Sequence, residues 1–233
     1  MILSKIRGIF ALIQFSVTVF FLIGFMYMFY KHNHYFRKAW AKVQRFMLGM
    51  DIQVKGELDE SADLILLNHQ SLLDITVMEY LHGRNIAWVA KKEIGDIPVF
   101  GHILKAPKMI SIDREDKAGL VKLLSETKDR LSKGRPIAMF PEGTRSDGTK
   151  MRDFKAGAKM VALKHKLKIQ PVVLINTRTI LDSQNLNATP GVVRVVYLDS
   201  FTPEKSDKEW YKRLEADMKE AFYKELELSK DDI

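Results

Sequence analysis

The chain has no cysteine among its 233 residues. Disulfide bonds, cysteine-ligated zinc sites and a cysteine nucleophile are therefore excluded. The sequence also contains no GxxxxGKS/T phosphate-binding loop, no HExxH zinc motif and no GxSxG nucleophile turn. Its six histidines are scattered along the chain, so we expect neither a metal site nor a bound cofactor.

Acidic residues are missing from the first 50 positions, which carry seven of the 37 lysines and arginines. The rest of the chain holds all 29 acidic residues against 30 basic ones, so the net charge of +8 belongs mainly to the N-terminal part. No charge interrupts the 23 residues from Gly8 to Tyr30. A helix of that length could cross a hydrocarbon core of about 30 Å. A secretory signal peptide fits less well, because the apolar run is too long and no small-residue cleavage site follows it.

The next segment, residues 31–50, mixes basic and aromatic residues. Its apolar positions 36, 40, 43 and 47 share one helical face, which predicts a basic amphipathic helix lying on an anionic membrane surface. Two such helices could form a hairpin embedded in one leaflet, so spanning and one-leaflet insertion both stay open. Positive charge is heavier after the apolar run, which favours a cytoplasmic C-terminal side. We therefore expect the chain at the inner (cytoplasmic) membrane, with its main domain on the cytoplasmic side.

Downstream of Gly49, short runs of Ile, Val and Leu alternate with longer helical patterns, as in α/β proteins. Continuous apolar runs such as LILL indicate strands that are covered on both faces. We predict a mainly parallel central sheet flanked by helices in residues 50–233, after a two-helix membrane-anchoring element in residues 1–49. The predicted strands are Ile52–Val54, Leu64–Leu67, Ile86–Ala90, Met109–Ile112, Ile137–Phe140, Ile169–Ile175 and Val192–Leu198. The predicted helices lie near Leu72–Leu81, Val99–Leu104, Lys117–Ser132, Phe154–His165 and Asp207–Leu226.

Polar clusters follow four of the predicted strands. They span residues 68–74, 91–101, 113–114 and 141–146. In sheets of this kind, ligands bind beyond the carboxyl ends of the strands. The chemistry of the protein is therefore expected at this edge of the sheet.

The first cluster, NHQSLLD, places His69 five residues before Asp74. Ser71 and Asp74 can form a helix-capping box, which would be a purely structural role. One helical turn also brings Asp74 back beside His69, where the helix N-terminus favours a carboxylate. That carboxylate could hold one imidazole nitrogen and leave the other as a base. Spacing alone favours neither interpretation.

The FPEGTRS segment from Phe140 to Ser146 joins a strand end to a glycine turn and an arginine. Such a turn exposes backbone N–H groups, and the guanidinium of Arg145 matches the geometry of a phosphate. Taken alone, the segment could equally be a turn with an Arg–Glu surface pair. Arg114 and Lys91, at two other strand ends, could likewise be surface charges.

Taken together, these blocks resemble the glycerolipid acyltransferases, specifically the 1-acylglycerol-3-phosphate acyltransferases. The matching blocks are NHxxxxD (68–74), KxExxxxPxxG (91–101), IDR (112–114), FPEGTRS (140–146) and the apolar-Pro-Val block (170–173). Their order and spacing match over about residues 50–200. The basic, apolar N-terminus resembles the two-helix membrane-binding element of bacterial members.

The resemblance implies transfer of a fatty acyl chain from an acyl thioester to the sn-2 hydroxyl of lysophosphatidic acid, giving phosphatidic acid in phospholipid biosynthesis. His69 would take the hydroxyl proton, and Asp74 would orient His69. Lys91, or backbone N–H groups near Gly143, would stabilise the oxyanion. The residues implied to hold or shape the site of the acceptor's phosphate are Glu142, Gly143, Thr144, Arg145 and Arg114.

The expected co-substrate is acyl-CoA or acyl-acyl carrier protein, and the expected partners are membrane lipids and, through the basic N-terminus, an acidic carrier protein. No nucleic-acid partner is expected. Three alternatives remain at this stage: another lysolipid as acceptor, a lipid hydrolase with Ser71 as nucleophile, and a membrane-anchored binding protein without catalysis.

Overall fold

The computed structural model describes residues 2–113 and 116–232, so Arg114 lies outside the described residues. The helices are α1 (Ile2–Met28), α2 (Asn33–Leu48), α3 (Leu73–Leu81), α4 (Lys92–Asp96), α5 (His102–Lys105), α6 (Lys117–Ser132), α7 (Ala156–His165), α8 (Thr177–Ile180) and α9 (Trp210–Leu228). The strands are β1 (Met50–Lys55), β2 (Leu64–Leu67), β3 (Ala87–Lys91), β4 (Ile110–Ile112), β5 (Ile137–Met139), β6 (Ile169–Ile175), β7 (Leu181–Asp182), β8 (Asn187–Ala188) and β9 (Gly191–Tyr197). Each predicted strand is present within two residues of its predicted bounds, whereas α4, α8 and the short β7–β8 pair were not predicted.

A seven-stranded sheet forms the centre of the molecule, in the order β1-β9-β6-β2-β5-β3-β4. Its neighbouring strands pair in parallel, except for the antiparallel pair of β6 and β9. The prediction of a mainly parallel sheet flanked by helices is therefore confirmed. Because β2, β5, β3 and β4 run in the same direction, their carboxyl ends meet at one edge of the sheet.

Strand β2 shows why a continuous apolar sequence suits the middle of this sheet. All four of its side chains are fully buried. Leu64 and Leu66 pack into a cluster with α6, α7 and α9, while Ile65 and Leu67 pack on the opposite face with α1 and α3. Burial on both faces explains why the strand does not alternate between apolar and polar residues.

Helix α1 begins at Ile2, six residues earlier than the predicted apolar run. Gly8 lies against the segment that joins β7 to β8, where an added Cβ would stand only 2.0 Å from the carbonyl oxygen of Leu186. The Arg7 guanidinium donates to the carbonyl of Leu48 at 3.0 Å. The other side of α1 is apolar and exposed, with Phe10, Phe20, Phe21 and Phe25 among its large side chains. The helix is long and apolar enough to cross a membrane, and 28% of its most apolar stretch is buried.

Helix α2 does not present the apolar face that its sequence predicts. Phe36 and Trp40 pack against α1, but Val43 and Met47 are exposed. The buried face instead carries polar residues such as Arg37 and Gln44. These residues are tolerated because they find partners inside the protein, and a periodicity count cannot detect such partners.

The α1–α2 hairpin is joined by hydrogen bonds to one hydroxyl. Thr18 of α1 accepts from Trp40 Nε1 and from Gln44 Nε2, each at 3.0 Å. Small polar groups that bond across two helices fix their relative register, including in a lipid environment. Both helices also share hydrophobic clusters with the sheet, and the division at residue 49 stays a prediction.

A buried ion pair ties α2 to the sheet domain. The Arg37 guanidinium donates to the carboxylate of Glu79 on α3 and to the side chain of Asn85. The same Glu79 oxygen accepts from the indole of Trp88 on β3 at 2.8 Å. Both charged side chains are almost completely buried. Removing one partner therefore leaves an uncompensated charge in the interior.

We expect Arg37→Met to lower the free energy of unfolding by about 3–5 kcal/mol, because Glu79 would keep its buried charge without its cation. Adding Glu79→Gln should recover part of that loss. Denaturant unfolding of the full chain in a mild detergent measures both variants. The control is Lys133→Met, which breaks an exposed pair with Asp129 and should change stability by less than about 1 kcal/mol. A loss no larger than that of the control would refute the role of the pair.

Candidate active site

The site begins at the end of β2, where the side chain of Asn68 forms the hydrogen bonds that a further strand residue would form with β6. The Asn68 amide donates to the carbonyl of Leu174 on β6 at 2.8 Å, and its oxygen accepts the Leu174 N–H at 2.7 Å. Asn68 thus extends the hydrogen bonding between β2 and β6 by one residue without continuing the strand. The following residue, His69, is thereby held at the carboxyl edge of the sheet.

His69 and Asp74 form the pair that their spacing suggested. The Nδ1 of His69 lies 2.7 Å from Oδ2 of Asp74. The Asp74 carboxyl is completely buried, whereas the His69 side chain retains 14% exposure. With Nδ1 occupied by the carboxylate, Nε2 is the ring nitrogen left for a substrate. The ring also stacks on Phe140, with 3.8 Å between centroids and 11° between planes.

Asp74 is held by donors from two segments, residues 69–71 and the start of α8. Its Oδ2 accepts the backbone N–H groups of Gln70 at 2.7 Å and Ser71 at 2.9 Å, besides the His69 ring. Its Oδ1 accepts the hydroxyl of Thr177 on α8. A buried carboxylate is tolerated when hydrogen bonds satisfy it. Thr177 was not predicted as a site residue, because a threonine more than a hundred positions away carries no motif.

The capping interpretation of Ser71 is supported by two hydrogen bonds, although the assigned helix α3 begins only at Leu73. Ser71 Oγ accepts the Leu73 N–H at 3.3 Å, and the Ser71 N–H donates to Asp74 at 2.9 Å. Its hydroxyl is buried and donates to the carbonyl of Leu181 at 2.7 Å. A hydroxyl in that position is not directed at His69, which weakens the alternative of a hydrolase with Ser71 as nucleophile.

The FPEGTRS turn holds the backbone of His69 from both sides. Glu142 Oε1 accepts the His69 N–H at 2.7 Å, and the Ser146 N–H donates to the His69 carbonyl at 2.8 Å. The second oxygen of Glu142 accepts the N–H of Arg152 at 2.6 Å. Glu142 therefore shapes the turn, as the resemblance implied.

Burial raises the pKa of Glu142 to about 7, and the neighbouring charge of Asp74 adds to the effect. The N–H groups of Arg152 and His69 act in the opposite direction, because they favour the ionised form.

Gly143 occupies the tight point of the turn, with a φ of 77° that favours glycine. Its N–H donates to the carbonyl of Phe140 at 3.0 Å. The Gly143 N–H is therefore engaged within the turn, and stabilisation of an oxyanion by backbone N–H groups near Gly143 stays a prediction. Thr144 is exposed beside it, and Arg145 is half-buried. Burial lowers the pKa of the Arg145 guanidinium from its ordinary value.

A second arginine, Arg178 on α8, braces the same turn and was not predicted. Its Nη1 donates to the carbonyl of Ser146 at 2.7 Å, and its Nε pairs with Asp182 at 3.0 Å. Arg178 thereby connects α8 and β7 to the FPEGTRS turn. Its charge lies close enough to Arg145 to contribute to the lowered pKa of that residue.

Lys91 stands at the end of β3, and its ammonium pairs with Glu93 at 3.2 Å. Because β5 separates β2 from β3, the two strands that carry His69 and Lys91 lie roughly 10 Å apart. A lysine side chain is long enough to cover part of that distance. The role of Lys91 as an oxyanion donor stays a prediction.

An apolar cavity of about 460 Å³ opens beside the turn. Its rim includes Phe140, Gly143 and Thr144, so it adjoins the ring stacked on His69. Its interior is formed mainly by apolar side chains of the sheet and of α6 and α7, among them Val89, Ile112, Leu123, Met139 and Ala158. Within residues 2–113 and 116–232, no group of three or more His, Asp or Glu side chains could hold a metal ion.

Comparisons with known proteins agree with this geometry. Residues 51–175 match the family model described as Acyltransferase. A 1-acyl-sn-glycerol-3-phosphate acyltransferase from Helicobacter pylori is 43% identical over 223 residues, covering 95% of this chain and 94% of that protein. A lyso-ornithine lipid O-acyltransferase from Rhizobium meliloti is 32% identical over 126 residues, covering 54% of this chain and 42% of that protein.

The fold is also that of a solved structure. The crystal structure of the 1-acyl-sn-glycerophosphate (LPA) acyltransferase PlsC from Thermotoga maritima superposes with a TM-score of 0.79 at 22% identity, and 96% of each chain is covered. The family model spans more than half of the chain, and the Helicobacter pylori relative matches almost all of it. The chain belongs to the acyltransferase family.

Proposed function

We propose that this acyltransferase transfers a fatty acyl chain from an acyl thioester to the sn-2 hydroxyl of lysophosphatidic acid, forming phosphatidic acid. The observation that carries the proposal is the 2.7 Å contact between His69 Nδ1 and the buried carboxylate of Asp74. The name of the 43% identical relative, 1-acyl-sn-glycerol-3-phosphate acyltransferase, supports the choice of acceptor.

In the proposed reaction, Nε2 of His69 accepts the proton of the acceptor hydroxyl while its oxygen attacks the thioester carbonyl. Asp74 keeps the ring in the required tautomer and stabilises the imidazolium that forms. The carbon–sulfur bond then breaks, and the proton on His69 passes to the departing thiolate. No acyl-enzyme is needed, because the acceptor supplies the attacking oxygen. Much of the catalysis then comes from holding the two substrates against one base.

The acceptor phosphate is proposed to bind the guanidinium of Arg145, together with that of Arg114. Arg145 lies in the same turn that holds the His69 backbone. A phosphate bound there would therefore place the rest of the lipid within reach of the base. Lys91 is the proposed donor to the oxyanion. The apolar cavity beside Phe140 is proposed to accept an acyl chain, since its interior offers mainly apolar contacts.

The apolar N-terminal helix supports membrane association. We infer that α1 lies within one leaflet, because Gly8 near its start and Tyr27 near its end both contact the catalytic domain. A helix attached at both ends could not cross the bilayer without carrying that domain into it. Arg37 is buried against Glu79, but the exposed lysines of this segment, Lys5, Lys31, Lys38 and Lys42, would bind anionic lipid head groups. The inner membrane and a cytoplasmic active site are proposed on the same charge pattern.

The donor is proposed to be acyl-CoA or acyl-acyl carrier protein, and no resident cofactor takes part in the proposed reaction. A second candidate keeps the reaction and changes the acceptor to another lysolipid. The matching lyso-ornithine lipid O-acyltransferase supports that option, although it covers only 54% of this chain. An assay of the purified protein with lysophosphatidic acid, lyso-ornithine lipid and both donors would separate the two candidates.

We expect His69→Ala to lower kcat for acyl transfer by at least about 10³-fold, because the general base is removed. Asp74→Asn should lower kcat by about 10²–10⁴-fold, because the neutral amide no longer stabilises the imidazolium. Initial rates with lysophosphatidic acid and an acyl thioester measure both effects. His165→Ala is the matched control, since His165 lies at the opposite end of α7 from the site. Wild-type rates in His69→Ala, with the fold intact by circular dichroism, would refute the assignment.

We expect Arg145→Ala to raise the KM for lysophosphatidic acid by about 10–100-fold, the cost of losing a charged hydrogen bond to phosphate. The KM for the thioester donor should change little. Lys150→Ala, an exposed cation four residues after the FPEGTRS segment, is the control for general charge effects. An increase confined to the donor's KM would show that Arg145 binds the donor instead.

A further inference from the structure

Four large apolar side chains are exposed within seven residues of the segment between β3 and α5. They are Ile94, Ile97, Val99 and Phe100, each between 38% and 49% exposed. We call residues 94–100, which comprise the end of α4 and the turn after it, the β3–α5 loop. In the described chain after α2, the remaining exposed large apolar residues are scattered: Val54, Val121, Met160, Leu186, Tyr223 and Leu228. A contiguous apolar patch on a loop usually marks a contact surface.

The β3–α5 loop is a folded element in which several backbone groups are hydrogen-bonded to one another. The N–H of Ile97 donates to the carbonyl of Ile94, that of Gly101 to Ile97, and that of His102 to Val99, over 2.8–3.4 Å. Gly101 closes the loop so tightly that an added Cβ would lie 2.1 Å from the carbonyl of Gly95. Backbone groups that are paired within the loop can enter a medium that offers no hydrogen bonds.

Val99 has a φ of 63°, in the left-handed region that β-branched residues rarely adopt. Asparagine or glycine would relieve that strain, and either would suit a loop that faces water. The loop instead holds a half-exposed valine in the strained position. Strained backbone positions of this kind cluster at functional surfaces.

The β3–α5 loop also lies beside the apolar end of α1. Helix α5 follows the loop directly, and its Ile103 packs with Leu22 and Met26 of α1. The Tyr27 hydroxyl lies 2.5 Å from Nδ1 of His102. Close to this contact, α1 exposes Phe25 and Met28. The loop patch thus continues the surface by which α1 is proposed to enter the bilayer.

We propose that the β3–α5 loop is a second membrane-contacting element, whose four apolar side chains enter the acyl layer beside α1. The proposal rests on the membrane association of α1 given above. Lys105 and Lys108 flank the loop on its C-terminal side, where they can meet anionic head groups. Glu93 is paired with Lys91. In the proposed shallow insertion, Glu93 and Asp96 stay at the level of the lipid head groups.

This second contact fixes how the catalytic edge meets the lipid. The β3–α5 loop begins inside α4, the short helix that follows the carboxyl end of β3, so it lies near the edge of the sheet that carries His69 and the FPEGTRS turn. A domain attached through α1 alone could rotate about that helix. A domain attached through α1 and the loop presents one edge to the bilayer. The acceptor, which is itself a lipid, would then reach His69 without leaving the head-group layer.

The absence of cysteine makes a direct test possible. Single cysteines replace Ile97 in the loop, Phe20 on α1 and the exposed control Val121 on α6, and each carries an environment-sensitive fluorophore. The full chain is diluted from mild detergent into vesicles of equal parts phosphatidylglycerol and phosphatidylethanolamine. The fluorophores at positions 97 and 20 should shift their emission to the blue and be quenched by spin-labelled acyl chains. The fluorophore at position 121 should keep the emission that it shows in water without vesicles.

The outcomes separate this proposal from the one on which it rests. If position 20 enters the acyl layer and position 97 does not, the loop proposal is wrong and the anchoring role of α1 stands. If neither position enters, α1 does not bind the membrane as proposed, and the loop proposal fails with it. Entry of position 121 to the same depth as position 97 would show that the signal is not specific to the loop.

A second measurement uses unlabelled protein. Ile97→Ser combined with Phe100→Ser should weaken partitioning into the same vesicles by about tenfold or more, because two apolar side chains no longer leave water. Acylation of lysophosphatidic acid embedded in vesicles should fall as this partitioning weakens. Acylation of a short-chain, water-soluble analogue should stay within about twofold of wild type.

Val99→Gly should likewise weaken partitioning without loss of thermal stability, since it removes backbone strain. Unchanged partitioning in both variants would overturn the proposal.

Discussion

A buried carboxylate governs the arrangement of this active site. The Asp74 side chain is completely enclosed, and an unsatisfied charge in that position would be prohibitive. Its donors come from residues 69–71, which connect β2 to α3, and from Thr177 at the start of α8. Segments far apart in the chain must therefore meet around one group. The catalytic geometry and the local stability of the fold depend on the same hydrogen bonds.

The position of His69 follows from this constraint and from two others. Asn68 completes the pairing between β2 and β6, and the FPEGTRS turn bonds the His69 backbone through Glu142 and Ser146. His69 is thus held by its ring Nδ1, by its backbone N–H and by its backbone carbonyl. A base that is held in this way needs little reorganisation when the substrate arrives, which is how a general base on a rigid scaffold gains rate. The same turn carries Arg145, so one element couples the base to the proposed phosphate site.

The N-terminal helices belong to this scaffold physically. Ala11 and Leu48 pack in the same cluster as Ile65 and Leu67 of the central strand. Arg37 is bonded to Glu79 on α3, the helix whose first turn carries Asp74. The proposed membrane-binding helices and the edge of the sheet that carries His69 are therefore parts of one packed structure. The hairpin is more than a flexible tether, and its polar residues serve the interior of the protein.

Much of this arrangement was readable from the chain. Runs such as LILL predicted buried strands, because a strand covered on both faces has no polar side to display. The blocks NHxxxxD and FPEGTRS pointed to His69, Asp74 and the turn after β5 through the family resemblance that they carry, whereas the spacing within NHxxxxD left the capping and catalytic interpretations open. The predicted apolar face of α2 was only half realised, because the buried Arg37 on that helix finds its partner Glu79 only in the folded chain. The folded chain likewise shows that the Gly143 N–H bonds the Phe140 carbonyl, while an oxyanion donor near Gly143 stays a prediction.

The sequence by itself determined the strands, the mainly parallel sheet and the apolar N-terminus, because each rests on periodicity, and its motif blocks pointed to the pair of His69 and Asp74. The tertiary structure alone decided that Thr177 completes the shell of Asp74, that Arg178 braces the turn, and that Glu142 supports the His69 backbone. It also decided that the β3–α5 loop lies beside α1. These contacts join residues up to about a hundred positions apart, and only closure of the sheet brings such residues within hydrogen-bonding distance.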